Sequence, residues 1–512
     1  MGQKHGLFTA SLPQSLWSAE AVKAQEAVLA IKQGLSLFTL MERAGQAAFA
    51  FLQHRWPNAR RLLVFAGGGN NGGDAYVLAR LAKQAHLQIQ LIELGLAERL
   101  PEEARLARQA WLAVGGTLDS MAAFEGPCDV IVDGIFGTGL AGEIREPIAG
   151  LLTKINQLSA PVLALDLPSG LCANTGRIFG VALKASATIS FVGLKQGLFT
   201  GQSADYVGDL VFAGLGIGDD FSQMNRSRVE RNLPAPLWTL LTKRSRVAHK
   251  GQCGRLALLG GNLGMPGAIR LAAEASLRTG AGLVNVLTKP EHLALMLAGR
   301  PELMVMGVEL EQRLLLKDLL AKANSLVVGP GLAQDRWAGF LWTEALARKC
   351  NLLVDADALN LLAQQPERRD NWVLTPHPGE AARLLQCSVL EVEQDRIAAA
   401  LKIQQRFGGV CVLKGAGTII AGDGKKVKIS TFGNPGMASG GMGDVLSGII
   451  GGLIAQLSGQ YGLFDIACLG VSIHGMAADF AAEQGERGML ASDLMPYIRK
   501  LVNPNSNENL AN

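Results

Sequence analysis

Twice along its length the sequence alternates short apolar runs with stretches of helical periodicity, and this alternation narrows the open folds more than any other feature. In the first series RLLVFAG is followed by a helix after Asp74, then IQLIEL, a helix from Pro101, DVIVDGIFG, a further helix, VLALDLPSG, ATISFVG and DLVFAGLGI. In the second, RLALLGG leads into a long Ala-rich helix ending at Thr279, then LVNVLT, SLVVGPG, NLLVDADAL, WVLTPH and VCVLKGAG. Alternating β and α units bury both faces of a mostly parallel sheet under helices. The expected fold class is α/β, with an N-terminal doubly wound, Rossmann-like sheet and a second α/β domain after it. Between the two series DDFSQMNRSRVERNLPAP is polar and carries Pro234 and Pro236. Order is therefore expected to stop near Gly218, with one domain over residues 1–225 and another over 236–505.

A chain of 512 residues has room for two such domains. Its mean hydropathy of +0.21 is high, but 62 glycines and many alanines spread that apolarity over helix–sheet packing. A membrane-spanning helix needs roughly 20 apolar residues. The longest candidate, Val445 to Leu457, is short and interrupted by Ser447, Gly448, Gly451 and Gly452, so it reads as a core helix. The N-terminus lacks a secretory h-region. Seven scattered cysteines without a C-x-x-C pair make neither a disulfide framework nor a zinc site. These features point to the cytoplasm and away from a membrane. A net charge of +4 is too small to imply nucleic-acid binding, which usually shows a concentrated basic face. One basic cluster, Lys243, Arg244, Arg246, Lys250 and Arg255, reads equally as a solvated domain entrance or as the rim of an anionic-ligand site.

After RLLVFAG comes Gly67, Gly68, Gly69, Asn70, Asn71, Gly72, Gly73, Asp74, which satisfies G-x-G-x-x-G between a strand and a helix, with Glu93 ending the next strand. That pattern alone suggests an ordinary dinucleotide-binding domain. Against it, Asp74 falls in the first helical turn, where its charge competes with a pyrophosphate for the same N–H groups. The two Asn side chains offer amide oxygens suited to a hard monovalent cation or a ligand hydroxyl. Further strand ends bring Asp133 with the loop Gly137, Thr138, Gly139, Leu140, Ala141, Gly142, Glu143, then Asp166, Pro168, Ser169 and Gly170, then Lys195, to one carboxyl edge. One such Asp is usually a cap or turn residue, but polar groups at three further strand ends point to a site.

GGGNNGGDA, with LMERAG before it and VDGIFGTGL and LDLPSG after it, resembles the NAD(P)H-hydrate epimerases over most of residues 10–220. The resemblance implies that Asn70, Asn71, Gly72, Gly73, Asp74, the loop Gly137 to Glu143, and Asp166 line the hydrate site, with Asp166 catalytic. It also implies a potassium ion held by Asn71, Asp133 and Ser169. Ala75 stands where the family motif has Gly, which is expected to narrow the loop slightly.

In the second half Asn434 to Asp444, NPGMASGGMGD, precedes an apolar helix. Glycines let backbone N–H groups turn inward, and the helix N-terminus adds partial positive charge, which together suit a phosphoryl group. Asp444 is placed as a general base toward a hydroxyl. Its bland alternative is a helix N-cap. G-x-x-x-x-G-K-[ST] is absent, so this is not a P-loop. The GxGD pattern resembles the ribokinase-like fold. With HKGQCG, GGNLGMPGA, RTGAGLV, VVGPGL, DADALN, TPHPGE and LKGAGT, residues 245–500 resemble the ADP- or ATP-dependent NAD(P)H-hydrate dehydratases. The resemblance implies that Ala268, Gly331, His377 and Asp444 contact the hydrated dinucleotide, and that Lys414, Gly415, Ala416, Gly417, Thr418 and Gly443 hold the nucleotide.

Implied with these are hydrated NADH or NADPH and ADP as small-molecule partners, Mg2+ with the nucleotide, and a homo-oligomer. The chain is thus expected to be bifunctional, epimerising the R and S hydrates and dehydrating the S form at the expense of ADP, giving AMP and phosphate. Two rivals are a hydroxymethylpyrimidine- or thiazole-type small-molecule kinase fused to a Rossmann domain, and a non-enzymatic nucleotide sensor in the first half.

Overall fold

The computed structural model describes residues 6–121, 127–224 and 226–503, and the polar tail beyond Asn503 lies outside them. The chain divides into two compact units, Met1–Glu230 and Arg231–Asn512.

In the first unit six strands, Arg61–Ala66, Gln88–Glu93, Val130–Gly134, Val162–Leu165, Ala187–Phe191 and Asp209–Ala213, form one sheet. Every neighbouring pair is parallel. Counted along the chain, their spatial order is second, first, third, fourth, fifth, sixth. The winding therefore reverses between Arg61–Ala66 and Val130–Gly134, and a crevice opens outside their carboxyl ends. Leu62 to Ala66 and Val130 to Gly134 are buried throughout, as strands covered on both faces must be. Helices Leu37–Arg55 and Asn70–Gln84 supply much of the cover, packing Met41, Ala44, Ala48, Tyr76 and Leu78 into the core.

The second unit repeats the logic with more strands. Arg255–Leu259, Leu283–Thr288, Met304–Gly307, Ser325–Val328, Asn351–Val354, Trp372–Leu374 and Val410–Leu413 pair in parallel. An antiparallel hairpin, Thr418–Gly422 and Val427–Ser430, then extends the sheet beyond Val410–Leu413. Here the reversal lies between Arg255–Leu259 and Ser325–Val328. Helices Pro266–Arg278, Met442–Leu457 and Leu463–Ala482 contribute a large cluster of buried apolar side chains against the sheet.

Three sequence expectations change. Order does not stop at Gly218: Gly218–Met224 is helical, and Val229–Arg231 is a strand whose Val229 and Glu230 pair with Leu16 and Ser15. A polar segment can make regular structure when its backbone finds a partner far away in sequence. Secondly, the longest apolar helix is Leu463–Ala482, whose length and composition would suffice to cross a membrane. About 78% of its apolar window is buried inside the unit, which makes it a core helix. Thirdly, the edge strand Met304–Gly307 and the hairpin after Lys414 carried no alternation strong enough to be read.

The first change moves the cut for separate expression. Asn232 donates from Nδ2 to Cys468 O at 2.9 Å and to Ser472 Oγ at 3.0 Å, all buried. A fragment starting at residue 236 would lose both of these buried hydrogen bonds, each worth about 0.5–1.5 kcal/mol. Residues 1–230 and 231–512, expressed separately, are expected to be soluble and to keep one activity each. Insolubility of both halves beside a soluble full chain, seen by size-exclusion chromatography, would contradict this.

Candidate active sites

A cavity of about 900 Å3 opens at the switch point of the first unit, within the usual range for small-molecule sites. Its lining gathers Asn70, Asn71 and Asp74 from one loop and helix, Gly137, Thr138, Gly139, Leu140 and Ala141 from a second loop, and Asp166 and Lys195 from two further strand ends. Gly72, Gly73, Gly142 and Glu143 do not line it. Gly72 lies under the helix start, where a Cβ would meet Gly67 O at 2.0 Å, so only glycine lets the loop close this tightly. Glu143 points away to Arg177, at 3.4 Å. Ala75 does not narrow the loop: fully buried, its methyl group packs against Gly134 beneath the crevice.

Asp166 adopts a left-handed conformation (φ 65°) unusual for a residue with a Cβ, which accompanies the turn of its carboxyl into the cavity. There it is ion-paired with Lys195, and it accepts from Phe191 N at 3.2 Å. Lys195 is 1% exposed and also donates to Phe191 O at 2.9 Å. Burial, with the like charges of Asp166 and Glu26, holds the Asp74 carboxyl well above the usual carboxylate range. Glu26, from helix Ala19–Lys32, lines the same cavity. Burial pushes it up to about 7 against the pull of Lys195. Sequence reading missed Glu26, because a lone acid on a helix before the first sheet strand has no motif around it.

Below the cavity floor lies a second polar group. Asp133 is fully buried, accepting from Ser169 N at 2.8 Å, Ser169 Oγ at 2.6 Å and Ile135 N at 3.2 Å. Burial still pushes it up to about 6. Asn71 donates from Nδ2 to Phe136 O at 2.9 Å, while its buried Oδ1 has no partner. Glu93, the acid a dinucleotide-binding domain would use on ribose, is instead taken by Tyr76 Oη and Arg108 Nε, both at 2.6 Å.

In the second unit the loops at the sheet's carboxyl edge converge again. Gly331 (φ 60°) sits so close to Ala268 that a Cβ on it would lie 3.2 Å from the Ala268 methyl, and this pair flanks the reversal. Lys414 turns its ammonium inward to Asp355 Oδ1 at 2.7 Å and Glu380 Oε2 at 3.7 Å. Ser447 donates to the other Asp355 oxygen at 2.6 Å. A Cβ on Gly443 would lie 3.4 Å from the Lys414 ammonium, so the Gly-rich loop and the lysine meet. Gly415 to Thr418 form the turn that joins strand Val410–Leu413 to strand Thr418–Gly422, with Thr418 Oγ1 donating to Gly415 O at 2.9 Å.

His377 caps helix Pro378–Leu385, its Nδ1 accepting from Gly379 N at 2.9 Å, and exposes its ring edge. Burial, with the positive charges of Lys414 and Arg383, lowers its pKa and favours the neutral ring. Asp444 is not the cap of its helix: Gly441, in the left-handed region at φ 89°, takes that place. The Asp444 carboxyl makes no hydrogen bond among the described residues and is pushed up to about 7 by burial and by Asp355. Asp355, Glu380 and Ser447 are the side chains of this cluster that the sequence did not single out. DADALN and TPHPGE were visible as motifs, but not which of their acids would face Lys414.

The basic cluster lies elsewhere. Arg255 begins a strand whose far end leads to the site, and Arg244 donates to Gln456 Oε1 at 2.7 Å near the end of helix Pro266–Arg278 remote from Ala268. Among the described residues no group of three His, Cys, Asp or Glu could hold a metal ion.

Two family models match, a YjeF-related N-terminal domain over residues 37–197 and NAD(P)H-hydrate dehydratase over residues 256–500. The chain is 47% identical to a bifunctional NAD(P)H-hydrate repair enzyme of Escherichia coli, over 96% of this chain and 95% of that protein. It is 45% identical to a protein of the same description from Coxiella burnetii, over 93% and 97%. A ribokinase-like superfamily protein from Enterococcus faecalis superposes with a TM-score of 0.50 at 30% identity, covering 54% of this chain and 96% of that one. With both domain types present in the same order and near-complete coverage, the chain belongs to the family of bifunctional NAD(P)H-hydrate repair enzymes.

Proposed function

We propose that the first unit interconverts the C6 epimers of hydrated NADH or NADPH in the cavity around Asp166. The second unit dehydrates the S epimer with ADP as phosphoryl donor. The observation that supports this most is the pairing of two unlike sites: carboxyls and a buried lysine around a roomy cavity in one unit, and in the other a Gly-rich helix start beside Lys414 with an unpartnered Asp444.

In the second site Asp444 removes the proton from the C6 hydroxyl as its oxygen takes the terminal phosphoryl group of ADP, releasing AMP. The N1 lone pair then expels phosphate, and loss of a C5 proton restores the ring double bond. Ala268, Gly331 and His377 contact the dinucleotide. Lys414, with the turn Gly415 to Thr418 and the Gly443 backbone, holds the nucleotide. Mg2+ accompanies the nucleotide, and carboxylates such as Glu380 are hard oxygen donors of the type it takes.

The first unit fits a potassium ion. The orphaned Asn71 Oδ1, the buried Asp133 carboxyl without a cationic partner, and Ser169 supply hard oxygen donors of the kind a monovalent cation takes. Such an ion would hold Asn71 and the Phe136–Gly137 loop in place and offset the charge of Asp133. In crystals grown with rubidium, an anomalous peak is expected between these three residues, and a featureless map there would count against the assignment.

One assay tests the whole reading: acid-generated hydrate is mixed with ADP or ATP and followed at the nicotinamide absorbance band. The expected outcome is free phosphate with returning absorbance, faster with ADP. A stable phosphoester would instead show a kinase.

A further inference from the structure

We propose that Glu26 is the proton donor of the first site, working against Asp166 as the acceptor. This rests on the epimerase reading and adds to it a residue outside every glycine-rich motif.

Glu26 reaches the cavity from helix Ala19–Lys32 together with Val22, Lys23 and Ala27. Its carboxyl makes no hydrogen bond or ion pair among the described residues, whereas the Asp166 carboxyl is held by Lys195 and the Phe191 N–H. Lys195 and Asp166 act on Glu26 from the sheet edge, and Lys23 acts from its own helix. Asp74, on helix Asn70–Gln84, is in turn raised by Glu26, and Glu103 also lines the cavity. Four acids thus face two lysines in a space partly removed from water, an arrangement in which not every carboxyl can stay charged. The Asp166 carboxyl has the Lys195 ammonium and a backbone N–H as donors, whereas Glu26 has no donor to stabilise its anion and burial pushes it up to about 7.

The substrate carbon explains why a donor and an acceptor are both needed. C6 of the hydrate bears a hydroxyl and the ring nitrogen N1, so it is a hemiaminal. When Asp166 takes the hydroxyl proton, the oxygen electrons form a carbonyl, the C6–N1 bond breaks and its electron pair goes to N1. N1 is then protonated by Glu26. Rotation about C5–C6 presents the other carbonyl face. N1 returns its proton to Glu26 as it attacks C6, and the new alkoxide recovers the proton from Asp166. Both carboxyls end as they began, and no outside reagent is consumed. Asp74, raised by burial and by the like charges of Asp166 and Glu26, lines the same cavity and is suited to a hydrogen bond to the substrate.

The test uses the full chain with the purified R hydrate. Glu26→Gln is expected to lower kcat for epimerisation by about 10²-fold or more, with KM within a few-fold and dehydration of the S hydrate unchanged. The limb of the kcat profile that falls with rising pH near 7 should vanish with it. In Glu26→Ala, added formate should restore part of the lost rate by entering the space the side chain leaves. A Glu26→Gln kcat within threefold of the unchanged chain overturns the proposal, as does a Glu26→Ala loss that formate does not restore and that appears as a raised KM. If the unchanged chain itself fails to epimerise the hydrates, the epimerase reading fails, and that result is separate from any effect of Glu26.

Discussion

Asp444→Asn is expected to slow dehydration by about 10²–10⁴-fold, the usual worth of a positioned base, while ADP or ATP still binds within a few-fold of its normal affinity. Asn preserves side-chain volume. The cap of the helix is Gly441, so the change removes no cap hydrogen bond and the Gly-rich loop keeps its shape. What disappears is basicity, in a group whose pKa of about 7 places it well for proton removal at neutral pH. Turnover in the unchanged chain should therefore rise with pH through about 7 where this step limits the rate. Calorimetric nucleotide affinity beside a turnover number checks both halves of the statement, and turnover within a few-fold of normal would leave the mechanism without a base.

The same substitution has an effect on stability whose sign follows from linkage. The folded carboxyl titrates near 7 and an unfolded one near the ordinary value of 3.8. Between those values the folded state holds a proton that the unfolded state has lost, so this group's contribution to stability declines as pH rises through that window. Asn cannot ionise and escapes the decline. Its melting temperature should exceed that of the unchanged chain at pH 8, and the gap should close at pH 4.

Asp166→Asn is expected to abolish epimerisation while leaving dehydration of the S hydrate intact. Asn tolerates the left-handed backbone that residue 166 adopts better than Ala does, so it is the cleaner variant. Asp166→Ala should lose the same activity. Both substitutions remove the carboxylate that pairs with Lys195, but Asn still offers its ammonium an amide oxygen, whereas Asp166→Ala leaves it no acceptor there. Removing one member of a buried pair typically costs about 3–5 kcal/mol, so a lowered melting temperature of the first unit is expected as well. Measuring both epimers by chromatography and dehydration separately decides the matter. Equal loss of both activities in Asp166→Asn would contradict two independent sites.

Local chemistry determined much of this protein. Apolar runs of strand length spaced by helical patterns specify parallel, doubly covered sheets, because a strand buried on both faces has no polar positions to offer. The loops that carry the sites were legible for a related reason: glycine is needed where backbones touch, as at Gly72, and where φ turns positive, as at Gly441. Such positions announce themselves in sequence. What only the tertiary structure decided are the pairings that span long separations. Nothing near Glu26 says that it shares a cavity with Asp166, and nothing near Lys414 says that its ammonium is held by Asp355, 59 residues earlier. Nor could the polar run after Gly218 show that Val229 would find Leu16. Burial, ion pairing and pKa depend on distance through space, and sequence separation does not encode distance once a sheet reorders its strands.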